Sequence, residues 1–149
     1  MKNTLSLSCV ALALACSGVP PAGKCEAIIL DMPHGEWRIY VHPDGSGLYG
    51  YGALPQLGRI EPRTFDFLEL HAQLAARITA ERQHTGAPEG AAHFCVDGPT
   101  CDPLWYFHDP EFADSLFDLA WAHQSPPSSE MEQQVFENIN RMWAERRPD

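Results

Sequence analysis

The apolar residues in the first third of the chain follow the pattern of β-strands. Ala27 to Leu30 form a short apolar run, and from Trp37 to Val41 apolar and polar residues alternate with the two-residue period of a half-buried strand. Pro43 to Gly47 carry a strong turn signal, so residues 48–54 are expected to return beside the second strand as a β-hairpin. One strand and one hairpin are therefore predicted in this part of the chain.

Three later segments have the apolar spacing of amphipathic helices. Residues 59–63 are expected to lead into the first helix, with Thr64 as its N-cap. Asp109, followed by a proline, predicts the start of the second helix, because proline suits the first helical position. Ser129 and Glu132 form a capping-box pattern at the start of the third helix.

A second hairpin is predicted between the first two helices, from strands at residues 92–96 and 104–107. The resulting order of elements is β-β-β-α-β-β-α-α. Hairpins separated by helices indicate an α+β fold. We therefore predict an antiparallel sheet, built from two hairpins plus one strand, that packs against three helices in a single globular domain over residues 25–149.

The N-terminal residues have the layout of an export signal. Lys2 precedes an uncharged stretch from Leu5 to Ala15, which has the length of a signal-peptide core. This stretch is shorter than the roughly twenty apolar residues that a bilayer-spanning helix needs. Ala13 and Ala15 supply the small residues that signal peptidase requires, so residues 1–15 are predicted to be a signal peptide.

The end of this signal, Leu12-Ala13-Leu14-Ala15-Cys16, resembles the lipobox of bacterial lipoproteins. The resemblance covers this segment alone and implies that Cys16 is diacylated and becomes the new N-terminus. Ser17 resembles the sorting pattern of outer-membrane lipoproteins, which implies a location in the cell envelope, on the periplasmic side of the outer membrane. The alternative is ordinary cleavage at the same bond, which leaves Cys16 unmodified. Residues 16–24, rich in glycine and proline, are predicted to be the lipid anchor and tether.

The cysteines that remain after cleavage are expected to meet an oxidising compartment, where disulfides form. Cys95 and Cys101 flank a short, turn-rich loop, so a disulfide between them is predicted. Closing so small a loop contributes about 2 kcal/mol to stability. Cys25 is the odd cysteine if Cys16 is acylated. If Cys16 is unmodified, a Cys16–Cys25 bridge is the alternative.

The charge of the chain argues against a nucleic-acid partner and favours a basic protein. The sequence has 10 basic and 20 acidic residues, a formal net charge of −10. The basic residues do not cluster, so nucleic-acid binding is not predicted. An acidic surface attracts basic partners, and a basic protein is therefore the expected one.

The chain carries no sequence motif that is diagnostic of catalysis or of metal binding. The spacing G-x-S-x-G is absent around Ser46, which is typical of a turn residue. His93 lies two residues before Cys95 on the same predicted strand face, but the predicted disulfide would remove the thiolate. Zinc coordination by these two residues with Cys101 and His108 would match no common ligand spacing. We predict no catalytic residue, metal ion or cofactor.

The first hairpin carries the most distinctive surface residues. If its turn centres on residues 44–47, His42 faces Tyr49 across the hairpin, and Tyr40 faces Tyr51. Tyr, Arg and His are favoured at protein-binding hot spots. An ordinary solvated sheet face is the alternative, and a register shift of one residue would dissolve the patch. The predicted partner-binding residues are Arg38, Tyr40, His42, Tyr49 and Tyr51.

These features favour a non-enzymatic binding protein of the bacterial envelope that engages a protein partner. One version is an immunity or inhibitor protein that blocks a toxic or lytic enzyme. One alternative is an accessory lipoprotein of an envelope or secretion assembly. Another is a small envelope hydrolase that uses His93 or carboxylates near the second hairpin.

Overall fold

A computed structural model describes residues 18–32, 37–51, 56–81, 90–96 and 104–146. The strands are β1 (Ile28–Asp31), β2 (Trp37–Val41), β3 (Gly47–Tyr51), β4 (Gln56–Ile60), β5 (Ala80–Glu81), β6 (Ala92–Val96) and β7 (Trp105–Phe107). The helices are α1 (Phe67–Ala76), α2 (Pro110–Ala122) and α3 (Glu130–Arg146), and a short 3₁₀ turn covers Ala22–Lys24. The strands form one sheet in the order β4-β3-β2-β1-β6-β7-β5, and all neighbours are antiparallel.

The predicted α+β fold, an antiparallel sheet with three helices, is confirmed. Two strands were not predicted: the two-residue β5, and β4, which pairs along β3. Part of β4 falls in residues 59–63, which were expected to lead into the first helix. Gly58 and Arg59 interrupt the apolar alternation there, so β4 has no strand pattern of its own.

The apolar core joins one face of the sheet to all three helices. Leu30, Ile39 and Phe94 are neighbours across β1, β2 and β6, and all three are buried on this face. Trp37 of β2 packs edge-on against Phe117 of α2, with the ring centroids 6.0 Å apart. Stacking a helix layer on one sheet face is what buries these alternating apolar residues.

Strand β4 is an edge strand, and the segment that follows α2 protects its outer side. The backbone N–H of Ser125 donates to the carbonyl of Arg59 at 2.8 Å, and that of Glu61 donates to the carbonyl of His123 at 2.9 Å. Helix α3 packs against β4 as well. These contacts satisfy backbone groups that would otherwise be open to pairing with another chain.

The helix starts follow the predicted chemistry with one difference. Asp66, and not Thr64, caps α1, since its carboxylate accepts from the backbone N–H of Glu69 at 3.0 Å. The Thr64 hydroxyl instead donates to the carbonyl of Glu61 at 2.7 Å, within the preceding turn. Asp109 caps α2 as predicted, because its side chain accepts from an N–H of the first helical turn at 3.0 Å.

The N-terminal end of the described chain is packed on the domain, where a tether was expected. Val19 is 5 % exposed and belongs to the core. The imidazole Nε2 of His71 in α1 donates to the carbonyl of Pro20 at 2.8 Å. The buried thiol of Cys25 lies 3.4 Å from the carbonyl oxygen of Pro21. The packed domain therefore starts before the predicted boundary at residue 25, whereas residues 1–15 and Cys16 lie outside the described residues.

Candidate functional site

The first hairpin forms, but its register differs from the predicted one. Ile39 pairs with Tyr49, and Tyr40 pairs with Leu48. The strands are joined by a tight turn, in which the N–H of Gly45 donates to the carbonyl of His42 at 2.9 Å. Gly45 has a φ of 78°, the left-handed conformation that suits glycine in three-residue hairpin loops. The predicted pairings of His42 with Tyr49 and of Tyr40 with Tyr51 are therefore wrong.

The shift in register moves Tyr49 into the core. A shift by an odd number of residues places a side chain on the other face of a sheet, and Tyr49 is 1 % exposed. Its ring lies over Gly58, where an added Cβ would be 2.5 Å from a ring atom. Burial raises the pKa of Tyr49 above its ordinary value. Tyr49 is thus a core residue, while the side chain of Tyr51 lies outside the described part of the structure.

The other face of the sheet brings together a polar cluster, which consists of Asp31, Arg38, Tyr40 and His93. Asp31 in β1 pairs with Arg38 of β2 on one side and with His93 of β6 on the other. Arg38 donates to both carboxylate oxygens of Asp31, from Nη2 to Oδ2 at 2.9 Å and from Nε to Oδ1. The Nε2 of His93 lies 2.9 Å from the same Oδ2. Three strands are therefore linked through one carboxylate.

The partners of Asp31 decide its ionisation. Burial alone would raise the pKa of this carboxyl, but hydrogen bonds from His93 and Arg38 outweigh burial and hold the pKa below its ordinary value. The carboxylate in turn raises the pKa of Arg38. Asp31 is consequently ionised at neutral pH although only 6 % of its side chain is exposed. A buried carboxylate is tolerated when it is paired and hydrogen-bonded in this way.

The outer members of the polar cluster are accessible to a binding partner. Arg38 keeps 49 % of its side chain exposed while Asp31 fixes its guanidinium. Its Nη1 also donates to the hydroxyl of the half-buried Tyr40 at 3.4 Å. On the far side of the cluster the His93 ring packs edge-on against Tyr106, with the centroids 5.7 Å apart. The arrangement presents a rigid cation next to a phenol, which can form hydrogen bonds with acceptors on another protein.

The predicted site residues are thus separated by the structure. Arg38 and Tyr40 are in contact on the sheet face opposite the apolar core, whereas Tyr49 is in the core. His42 is exposed in the turn beyond the end of β2. Sequence reasoning missed Asp31 as a partner for Arg38 and His93. The one signal for it was a carboxylate directly after the apolar run Ile28–Leu30, a position that needs a cationic partner once it is buried.

The chemistry of His93 is defined by its two contacts. Asp31 accepts from one ring nitrogen, an arrangement that orients a histidine, and Tyr106 packs against the ring. Cys95 is buried two residues further along β6, but Cys101 lies outside the described residues, so their disulfide stays a prediction. Within the described ranges, no group of three His, Cys, Asp or Glu side chains is placed to hold a metal ion. In the same part of the chain no helix is long and apolar enough to cross a membrane.

Comparison of the chain with protein-family models, with curated proteins and with solved structures finds no match in any of the three.

Proposed function

We propose that the protein is a non-enzymatic binding protein of the bacterial envelope, anchored through a lipid on Cys16, and that it engages a basic protein partner through Arg38 and Tyr40. One observation carries the proposal: Arg38 is fixed by Asp31 while 49 % of its side chain stays exposed. A side chain that is already ordered loses less conformational entropy when a partner binds. Arg and Tyr are also among the residues that contribute most to binding at protein interfaces.

In this proposal the charges of the protein act on the partner both at long range and in direct contact. The net charge of −10 attracts a basic partner at long range and speeds the encounter. At short range Arg38 and Tyr40 form hydrogen bonds with carboxylate or carbonyl oxygens of that partner. A basic toxic or lytic enzyme has this chemistry, and an immunity or inhibitor protein against such an enzyme is the concrete version that we propose.

The test compares the binding of variants to the protein encoded beside this gene. The affinity of the mature protein in detergent is measured by calorimetry for the wild type, for Tyr40→Ala and for Leu68→Ala. Truncation of a hot-spot residue costs 2 kcal/mol or more, so Tyr40→Ala is expected to weaken binding about thirty-fold or more. Leu68 is exposed on α1, which packs on the opposite face of the sheet, and its variant is the matched control with unchanged affinity. Equal affinity of a folded Tyr40→Ala variant and the wild type would contradict the assignment of this surface.

A small envelope hydrolase is the second candidate, favoured by the bond between His93 and Asp31. A carboxylate that orients a histidine is one part of general-base catalysis, which also needs a nucleophile or a bound water within reach. His93→Gln distinguishes the two candidates, because it removes the base. Hydrolysis of peptidoglycan or of an ester substrate by the wild type, lost in His93→Gln, would support the hydrolase and count against a purely binding role.

A further inference from the structure

The N-terminal segment from Val19 to Cys25 is attached to the side of the domain that carries α1. Val19 is buried in the core, and the carbonyl of Pro20 accepts a hydrogen bond from His71 at 2.8 Å. His71 itself is 1 % exposed, so the donor of this hydrogen bond is buried. Burial of the imidazole limits competition from water for this hydrogen bond, which fixes the path of the chain at the half-buried Pro20.

This attachment leaves little free chain between the lipid and the domain. Three peptide units separate Cys16 from Val19, and at 3.8 Å per unit they reach at most about 11 Å. A free tether over residues 16–24 would have reached roughly 30 Å and allowed any orientation. Pro20, where the chain meets α1, is one unit further on, so the chain between Cys16 and this contact spans at most about 15 Å.

The surface of α1 beside this attachment carries an exposed leucine. Leu68 is 66 % exposed and lies one helical turn before His71, and residues three apart on a helix are surface neighbours. In the described part of the chain, Met131 on α3 is the other large apolar side chain with high exposure, at 77 %. A single exposed leucine is common on protein surfaces and does not by itself indicate a binding site. Next to a lipid anchor, however, an exposed leucine can enter the boundary between headgroups and acyl chains.

From these positions we infer that Leu68 and the adjoining surface of α1 contact the phospholipid surface in which the Cys16 lipid is embedded. The inference rests on the lipid anchor of the proposed function and adds an orientation to it. The exposed charged residues at the start of α1 include Asp66 and Glu69, and the 3₁₀ turn that contacts α1 ends at the exposed Lys24. This balance favours zwitterionic over strongly anionic lipid. Arg38 and Tyr40, on the sheet face opposite the helices, then point away from the bilayer and are free to bind a partner.

The experiment uses the lipidated protein in vesicles of phosphatidylethanolamine and phosphatidylcholine with a trace of a phospholipid that carries a photoactivatable diazirine. After illumination, labelled peptides are identified by mass spectrometry. Wild type is compared with Leu68→Ser, with the matched control Met131→Ser, and with a chain that has a Gly-Ser insertion after Ser17. An insertion of about twelve residues adds roughly 20 Å of flexible chain.

The α1 peptide of the wild type is expected to be labelled several-fold more than the α3 peptide. Leu68→Ser and the Gly-Ser insertion should each reduce the labelling of α1, whereas Met131→Ser should leave it unchanged. Equal labelling of α1 and α3, or labelling of α1 that is insensitive to the insertion, would overturn the inference.

The intact mass of the same sample separates this inference from the proposed function. An unmodified Cys16 would remove the anchor and overturn both. A diacylated Cys16 with an unlabelled α1 would overturn the orientation alone. Partner binding through Tyr40 is measured in a separate assay without vesicles, so neither result depends on the other.

Discussion

Replacement of Arg38 by methionine tests whether the polar cluster holds the sheet together. Methionine keeps most of the aliphatic length of the side chain but cannot donate to Asp31. The carboxylate, with 6 % of its side chain exposed, would keep His93 and lose the two hydrogen bonds from the guanidinium. The variant is expected to fold, because the core on the other face of the sheet is unchanged.

The magnitude follows from the exposure of the two partners. A hydrogen bond to a charged group contributes about 1.5–3 kcal/mol, and loss of a partner from a buried pair costs up to about 5 kcal/mol. Arg38 is 49 % exposed, so solvent screens its charge and the lower part of this range applies. We expect Arg38→Met to reduce the free energy of unfolding by about 2 kcal/mol at neutral pH.

The loss of stability in Arg38→Met is also expected to depend on pH. In the wild type the pKa of Asp31 is below its ordinary value of 3.8 because hydrogen bonds outweigh burial. The ionised carboxylate therefore stabilises the fold above that ordinary value, and this contribution is lost as the pH falls through the lowered pKa. Without Arg38 fewer hydrogen bonds counteract the effect of burial, so the pKa of Asp31 rises. Acid unfolding of the variant should begin at a higher pH than that of the wild type.

Urea unfolding, followed by tryptophan fluorescence, measures both effects. Trp37 and Trp105 are buried and report the loss of tertiary structure. A loss of 2 kcal/mol lowers the midpoint by roughly 1 M urea for a domain of this size. Arg141→Met is the matched control, since Arg141 is exposed on α3 with one hydrogen bond, to Asn138, and should change stability by less than about 0.5 kcal/mol. Equal midpoints for both variants and the wild type, with parallel pH dependence, would refute the role of Arg38 as a support for Asp31.

Three further predictions concern other parts of the chain. Gly58→Ala should lower stability by about 1–3 kcal/mol in thermal unfolding, because the new Cβ would lie 2.5 Å from the ring of Tyr49. Burial lowers the pKa of His71 below its ordinary value of 6.5, so stability should fall as the pH drops below that value, and His71→Gln should flatten this dependence in urea titrations. Thiol titration after denaturation should detect one thiol, that of Cys25, before reduction and three after it, if a Cys95–Cys101 bridge forms and the lipidated cysteine is blocked.

Each of these predictions has a control or a contrary outcome. Gly23→Ala serves as the control for Gly58→Ala, because an added Cβ there meets nothing within 4 Å. An equal melting temperature for the two variants would show that the ring of Tyr49 moves aside without cost. A urea midpoint of the wild type that is constant from pH 7 to pH 5 would count against the buried, neutral His71. A second thiol before reduction would indicate that Cys95 and Cys101 are not bonded.

The features that the sequence alone could predict are those that depend on near neighbours in the chain. Alternation of apolar and polar residues placed Trp37, Ile39 and Val41 on the buried face of β2, and all three are buried. The carboxylate of Asp109 before a proline marked the start of α2 for the same reason, since a cap interacts with the next turn only. Strand β4 has no such pattern, so the sequence alone did not predict it. Its position depends on pairing with β3 and on the packing of α3.

The candidate site depended on contacts that no local pattern encodes. The tight turn at Gly45 set the hairpin register and moved Tyr49 from the predicted patch to the core. Asp31 and His93 are far apart in sequence and meet because β1 lies between β2 and β6 in the sheet. The alternation in β2 already placed Arg38 on the polar face, but only strand pairing supplied the buried carboxylate that fixes it. A side chain's face follows from local periodicity, whereas its partner follows from register and strand order, which the whole fold decides.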